Sequence, residues 1–186
     1  MKKIENISLF DFDGTIIKGD SVKLFYKLHF GICWILEYYL SFTFIKFLVT
    51  RNFNLIERKR RLKIRKIIES NSFKEKEFFE LLKSNYFEDI NELFNRNIKY
   101  KIVVVTGSYY ELLQLWGKEN DIPILATSCF SDDDILTFEK KVKKIKDVYP
   151  KAHLINAYGN SSSDFPMLEI SKKRYFRKIN GDIKEI

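Results

Sequence analysis

Residues 7–13 read ISLFDFD and run directly into Gly14 and Thr15. An apolar run this short, bounded by a glycine, reads as a buried strand. Its carboxyl end carries two acids one residue apart, Asp11 and Asp13. A pair of acids at the mouth of a buried strand needs a reason, and the rest of the chain supplies it.

Strand character returns at residues 100–107, YKIVVVTG, where three consecutive valines suit a strand covered on both faces, as in a parallel sheet. IPILAT (122–127) and AHLINAYGN (152–160) read as further strands, and RYFRKI (174–179) as a last one. Between them lie helical stretches: SYYELLQLWGKEN (108–120), EKKVKKIKDVY (139–149) and SSDFPMLEIS (162–171), the last with Ser162 or Ser163 as its cap. This alternation predicts an α/β fold with a Rossmann-like parallel sheet, which the first strand must join to find cover. Residues 20–97 contain no proline and one glycine, and read as several helices, with Asp20 and Ser21 as candidate caps for the first. The expected organisation is a core of residues 1–19 and 98–186 with a helical cap, 20–97, inserted into it.

In open parallel sheets, ligands gather at the carboxyl ends of the strands. Asp11, Asp13, Thr106, Ser108, Asn160 and Asp164 all fall at such ends, and Lys141 begins the helix before the fourth strand. Carboxylates, a hydroxyl, an amide and an ammonium meeting in one crevice suit phosphoryl transfer through an aspartyl phosphate. A carboxylate nucleophile splits one hard displacement into two easier ones. A hard cation such as Mg2+, held by oxygen ligands, neutralises the phosphate. A lysine and backbone N–H groups stabilise the transferring oxygens, and a second acid passes protons to the leaving group and from water.

DFDGT (11–15), VVVTGS (103–108), the lysine heading KVKKIK (141–146) and YGNSSSDFPML (158–168) resemble, in order and spacing, the four motifs of the haloacid dehalogenase superfamily of phosphohydrolases. The branch they are most similar to is the phosphoserine phosphatase-like one, which includes phosphatidylglycerophosphatase-like members with a type 1 helical cap. The resemblance implies Asp11 as nucleophile and Asp13 as general acid/base, with Lys141, favoured over Lys140, holding nucleophile and phosphate together. It implies Thr106 and Gly107 as phosphate-binding positions, and Asp11, Asp13 (through its carbonyl), Asn160 and Asp164 around Mg2+. One position departs from the family's pattern: its fourth motif usually reads Gly-Asp, and here it is Gly159-Asn160. An amide oxygen still coordinates a hard cation, but one negative charge is missing, so weaker Mg2+ binding is expected.

Net charge is +8, from 33 basic and 25 acidic residues, which favours anionic partners. The basic run RNFNLIERKRRLKIRK (51–66) follows an apolar aromatic stretch, LHFGICWILEYYLSFTFI (28–45), whose one formal charge is Glu37. A central acid, His29, Gly31 and several tyrosines weigh against a membrane span, and favour a buried helical hairpin or a face resting on a membrane. Nucleic acid is disfavoured, because aromatics are not interleaved with the charges. Cys33 and Cys129 have no CxxC partner and read as reduced, packed residues, and no secretory signal is recognisable, which suits the cytoplasm. Asp132–Asp134 reads as a solvated turn. The expected function is Mg2+-dependent hydrolysis of a phosphomonoester, on a small metabolite or a lipid-linked phosphate, with peripheral contact at the inner face of an anionic membrane. The alternatives are a phosphomutase or a binding protein on a degraded copy of the fold.

Overall fold

The computed structural model describes residues 5–38 and 53–186, with side chains in the second stretch described from Glu57 onward. Within these residues six strands form one sheet in the order β3-β2-β1-β4-β5-β6. They are β1 (Asn6–Phe10), β2 (Lys101–Tyr109), β3 (Ile124–Thr127), β4 (His153–Gly159), β5 (Lys173–Arg177) and β6 (Ile183–Glu185). The first five run parallel, and β6 returns antiparallel along β5. Leu9 pairs with Val103 on one side and Ala157 on the other, so β1 lies between β2 and β4. The loops after these three strands are therefore neighbours, and the chain order reverses between β1 and β4, where parallel sheets open a crevice.

Successive strand residues face opposite sides of a sheet. Ile7 and Leu9 pack with Val103, Val105, Ala157, Met167 and Leu168 in one apolar layer. Phe10 and Val104 face an aromatic layer with Phe25, Phe78 and Trp116. Val103, Val104 and Val105 are all fully buried, as a strand covered on both faces requires.

Asp20 caps α1 (Ser21–Phe30) by accepting the Lys23 amide at 2.9 Å, while Ser21 is the first helical residue. A short turn at Gly31–Cys33 leads into α2 (Trp34–Tyr38). The helices α3 (Phe53–Glu69), α4 (Glu75–Ser84) and α5 (Ile90–Arg96) follow, so the expectation of a helical insertion holds among the described residues. Residues 39–45 of the apolar stretch and 51–52 of the basic run lie outside them. No described helix is long and apolar enough to cross a membrane. Cys129 is buried as expected, but Cys33 is exposed, because its turn projects from the end of α1.

Several contacts fasten the insertion to the core. Asn97, fully buried, accepts from Ser8 Oγ at 2.8 Å and from Asn156 Nδ2 at 2.7 Å, and donates to Leu93 O and the Tyr158 hydroxyl. Phe94 meets Phe10 edge to face, which beds α5 on the sheet. Farther out, Glu57 accepts from the Tyr109 hydroxyl at 2.6 Å and pairs with Arg61. Arg61 also donates to the carbonyls of Ser131 and Asp133, clasping α3 to the loop after β3. The remaining helices are α6 (Tyr110–Glu119), α7 (Glu139–Val148) and α8 (Phe165–Glu169).

Candidate active site

β1 delivers Asp11 to the centre of the carboxyl edge, with its amide still bonded to Tyr158 O at 2.8 Å. Lys141, in the first turn of α7, reaches the same point. Its Nζ lies 2.6 Å from Asp11 Oδ1 and 2.6 Å from Asp164 Oδ1, and all three side chains are almost wholly buried. Residues from three separate stretches thus meet at one ammonium. Lys140, the neighbouring candidate, turns outward to Asp134.

Asp164 is held on its other oxygen by three donors: the amides of Asn160 and Ser161 at 3.1 and 3.0 Å, and Ser161 Oγ at 2.8 Å. The cap of this turn is Ser161, rather than Ser162 or Ser163, and it forms a reciprocal capping box with Asp164. Gly159 makes room for it, since a Cβ there would lie 2.6 Å from that of Asp164. The start of α7 is tied to the same turn by Phe138 N donating to Ser163 O at 3.0 Å.

Asp13 faces the other way, toward α1. Ser21 gives it an amide at 2.8 Å and its hydroxyl at 3.1 Å. Ser21 Oγ also lies 2.7 Å from Ser108 Oγ, linking the start of α1 to the end of β2. Thr106 is buried with Oγ1 accepting from Ser108 N at 3.0 Å, and Gly107 beside it is partly exposed. Ser21 and Ser161 were missed as supports of the two acids. Ser161-x-x-Asp164 is itself a capping-box pattern, so its signal was in the sequence; Ser21 carried none beyond its place as a cap candidate.

The charges are arranged unequally. Burial pushes the Asp11 carboxyl up from 3.8 to about 6, Lys141 opposes this and Asp164 adds to it. Burial, Asp20 and Asp11 together raise Asp13 well above the carboxylate range. For Lys141 burial acts downward, but Asp11 and Asp164 outweigh it and the ammonium is favoured. An acid whose native pKa exceeds its unfolded one stabilises the fold while protonated. That contribution is whole below about pH 4 and is lost as pH rises through about 6. The metal-free wild type is therefore expected to lose on the order of 3 kcal/mol relative to Asp11→Asn across this window, read from urea unfolding at a series of pH values. A constant difference between the two would contradict it.

The donors available to a cation are oxygens. The Asn160 amide is lodged against Gly14: a Cβ on Gly14, whose φ is +71°, would come within 2.0 Å of Asn160 Nδ2. Only glycine fits there, and it brings the Asp13–Gly14 backbone against Asn160. Among the described residues no three His, Cys, Asp or Glu side chains form a metal-holding group. A set of one carboxylate, one amide and one main-chain carbonyl falls outside that description, yet its hard oxygen chemistry fits Mg2+. A groove of about 1250 Å³ borders Gly14, Asp20 and Asn160 and extends to the β5–β6 hairpin. Asp11 and Lys141 are not among its walls.

The haloacid dehalogenase-like hydrolase family matches residues 8–169. No curated protein matches the chain. Among solved structures, a protein of unknown function from Bordetella pertussis Tohama I superposes with a TM-score of 0.71 at 12% identity, covering 92% of this chain and 89% of that one. A phosphoserine phosphohydrolase-like protein from Francisella tularensis gives 0.54 at 21% identity, covering 92% and 86%. Phosphoserine phosphatase from T. onnurineus gives 0.53 at 19%, covering 93% and 84%. At these identities the similarity concerns the fold.

Proposed function

Because the chain belongs to the haloacid dehalogenase-like hydrolases, we propose that it is a phosphatase that hydrolyses phosphomonoesters through Asp11. The observation that carries this reading is the Lys141 ammonium at 2.6 Å from both Asp11 and Asp164. It orients one carboxylate and compensates the charge of an incoming phosphate.

In the proposed reaction, an Asp11 oxygen attacks phosphorus and the leaving oxygen takes a proton from Asp13. The raised pKa of Asp13 suits it to hold that proton. Water then gives a proton to Asp13 and attacks the aspartyl phosphate, releasing phosphate and the Asp11 carboxylate. Thr106 and the Gly107 amide bind the phosphoryl oxygens. Asp11, the Asp13 carbonyl and Asn160 would hold Mg2+, which would supply positive charge to the phosphate. Asp164, with both oxygens engaged, serves the metal site by fixing the Asn160 loop and Lys141. Residues 20–97 act as the cap that selects the substrate.

Asn160→Asp restores a charge beside the cation and is expected to tighten Mg2+ binding roughly tenfold, measured by calorimetric titration. Unchanged or weaker affinity would remove Asn160 from the metal site. The same asparagine favours the second reading, a binding protein on this fold without turnover. A phosphate-release screen over amino-acid, sugar, nucleotide and lipid phosphates, with and without Mg2+, separates the two; no release from any ester would favour the binding protein. The proposed substrate is a phosphorylated small molecule, with a lipid-linked phosphate as the finer alternative. The proposed location is the cytoplasm, with peripheral contact at the anionic inner face of the membrane.

A further inference from the structure

The end of α1 and the start of α2 expose an unusual amount of apolar surface. Ile32 is 97% exposed, Leu36 55% and Ile35 49%. Gly31 and Cys33 are exposed beside them, so residues 31–36 form a projecting apolar tip. Such a cluster is costly in water and marks a contact surface.

Cations border the tip. Lys27 Nζ lies 5.1 Å from the Trp34 ring centroid, and Lys63 Nζ lies 5.1 Å from that of Phe30. The local acid, Glu37, is already engaged by Lys63. Lys63 belongs to α3, which therefore runs beside the tip and turns Arg58, Leu62 and Lys66 to solvent at four-residue spacing. Apolar residues at a point, rings behind them and cations around them form the pattern that an anionic bilayer surface accepts. Two copies meeting tip to tip would bring Lys27 against its own kind, and a nucleic acid would leave the isoleucines unused.

We propose that residues 31–36, bordered by Lys27 and Lys63, are the element that docks this protein on an anionic membrane, with Ile32, Ile35 and Leu36 entering the headgroup layer. The inference deepens the peripheral-contact part of the proposed function and rests on it. It places the insertion, rather than the sheet, at the lipid surface.

The test uses flotation with phosphatidylcholine vesicles containing phosphatidylglycerol, at low and high salt, on the wild type and on the triple variant Ile32→Ser/Ile35→Ser/Leu36→Ser. Ile32 is almost wholly exposed and the other two are about half exposed, so the variant is expected to fold, which its urea midpoint checks. The expected result is wild-type flotation that weakens with salt and falls about tenfold or more in the variant. Trp34 gives a second readout: of the two tryptophans, Trp116 is 1% exposed in the core, so a blue shift on adding vesicles reports Trp34. A wild type that does not float overturns the peripheral contact and the inference together. A wild type that floats no better than the triple variant, or that floats with Trp34 emission unmoved, overturns the docking element alone.

Discussion

Asp11→Asn is expected to lower kcat toward a soluble chromogenic phosphate ester by on the order of 10⁴-fold or more, because it removes the oxygen proposed to attack phosphorus and, with it, a charge proposed to hold Mg2+. The asparagine keeps the shape of the side chain, and Lys141 retains Asp164 as its partner. The fold should therefore persist, and above about pH 6 the variant should be no less stable than the metal-free wild type, since a carboxylate that burial disfavours is gone. Steady-state turnover and urea unfolding on the same preparations check both halves. Equal turnover in the two proteins would end the catalytic reading.

Lys141→Met carries the second large effect, and here stability suffers as well as rate. The ammonium is the shared partner of two buried carboxylates, and an uncompensated buried charge costs several kcal/mol. Unfolding free energy near pH 7 is expected to fall by about 3–5 kcal/mol. The deficit should shrink as pH falls through about 6, because protonation then discharges Asp11. It should also be smaller in an Asp11→Asn background, where one of the two charges is already absent. A deficit that is independent of both pH and Asp11 would mean that Lys141 contributes packing rather than charge.

The parts of this molecule that were legible in the sequence are those in which local pattern and tertiary role coincide. Ile7–Phe10 and Val103–Val105 are continuous apolar runs because both sheet faces are covered, and the polar residues after them stand out for that reason. Lys141 was separable from Lys140 only through the motif resemblance, since both are lysines in one turn of helix. The cap at 161–164 slipped by a residue or two because three consecutive serines offer equivalent oxygens, and only Asp164's reach back to the Ser161 amide decides among them. β6 is three residues long and was missed, being too short for any period to register. Asn97 was also silent. Its partners, Ser8 and Asn156, lie 89 and 59 residues away, and no local pattern announces a polar contact across that distance.

The clasp formed by Tyr109, Glu57, Arg61 and the carbonyls of Ser131 and Asp133 joins α3 both to β2 and to the loop after β3. None of its bonds involves Asp11, Lys141 or Asp164, whose own contacts are made with one another and with the turn at residues 160–161. The grip of the insertion on the sheet and the charge balance at the strand ends are thus separate properties, and substitutions in one should add to substitutions in the other.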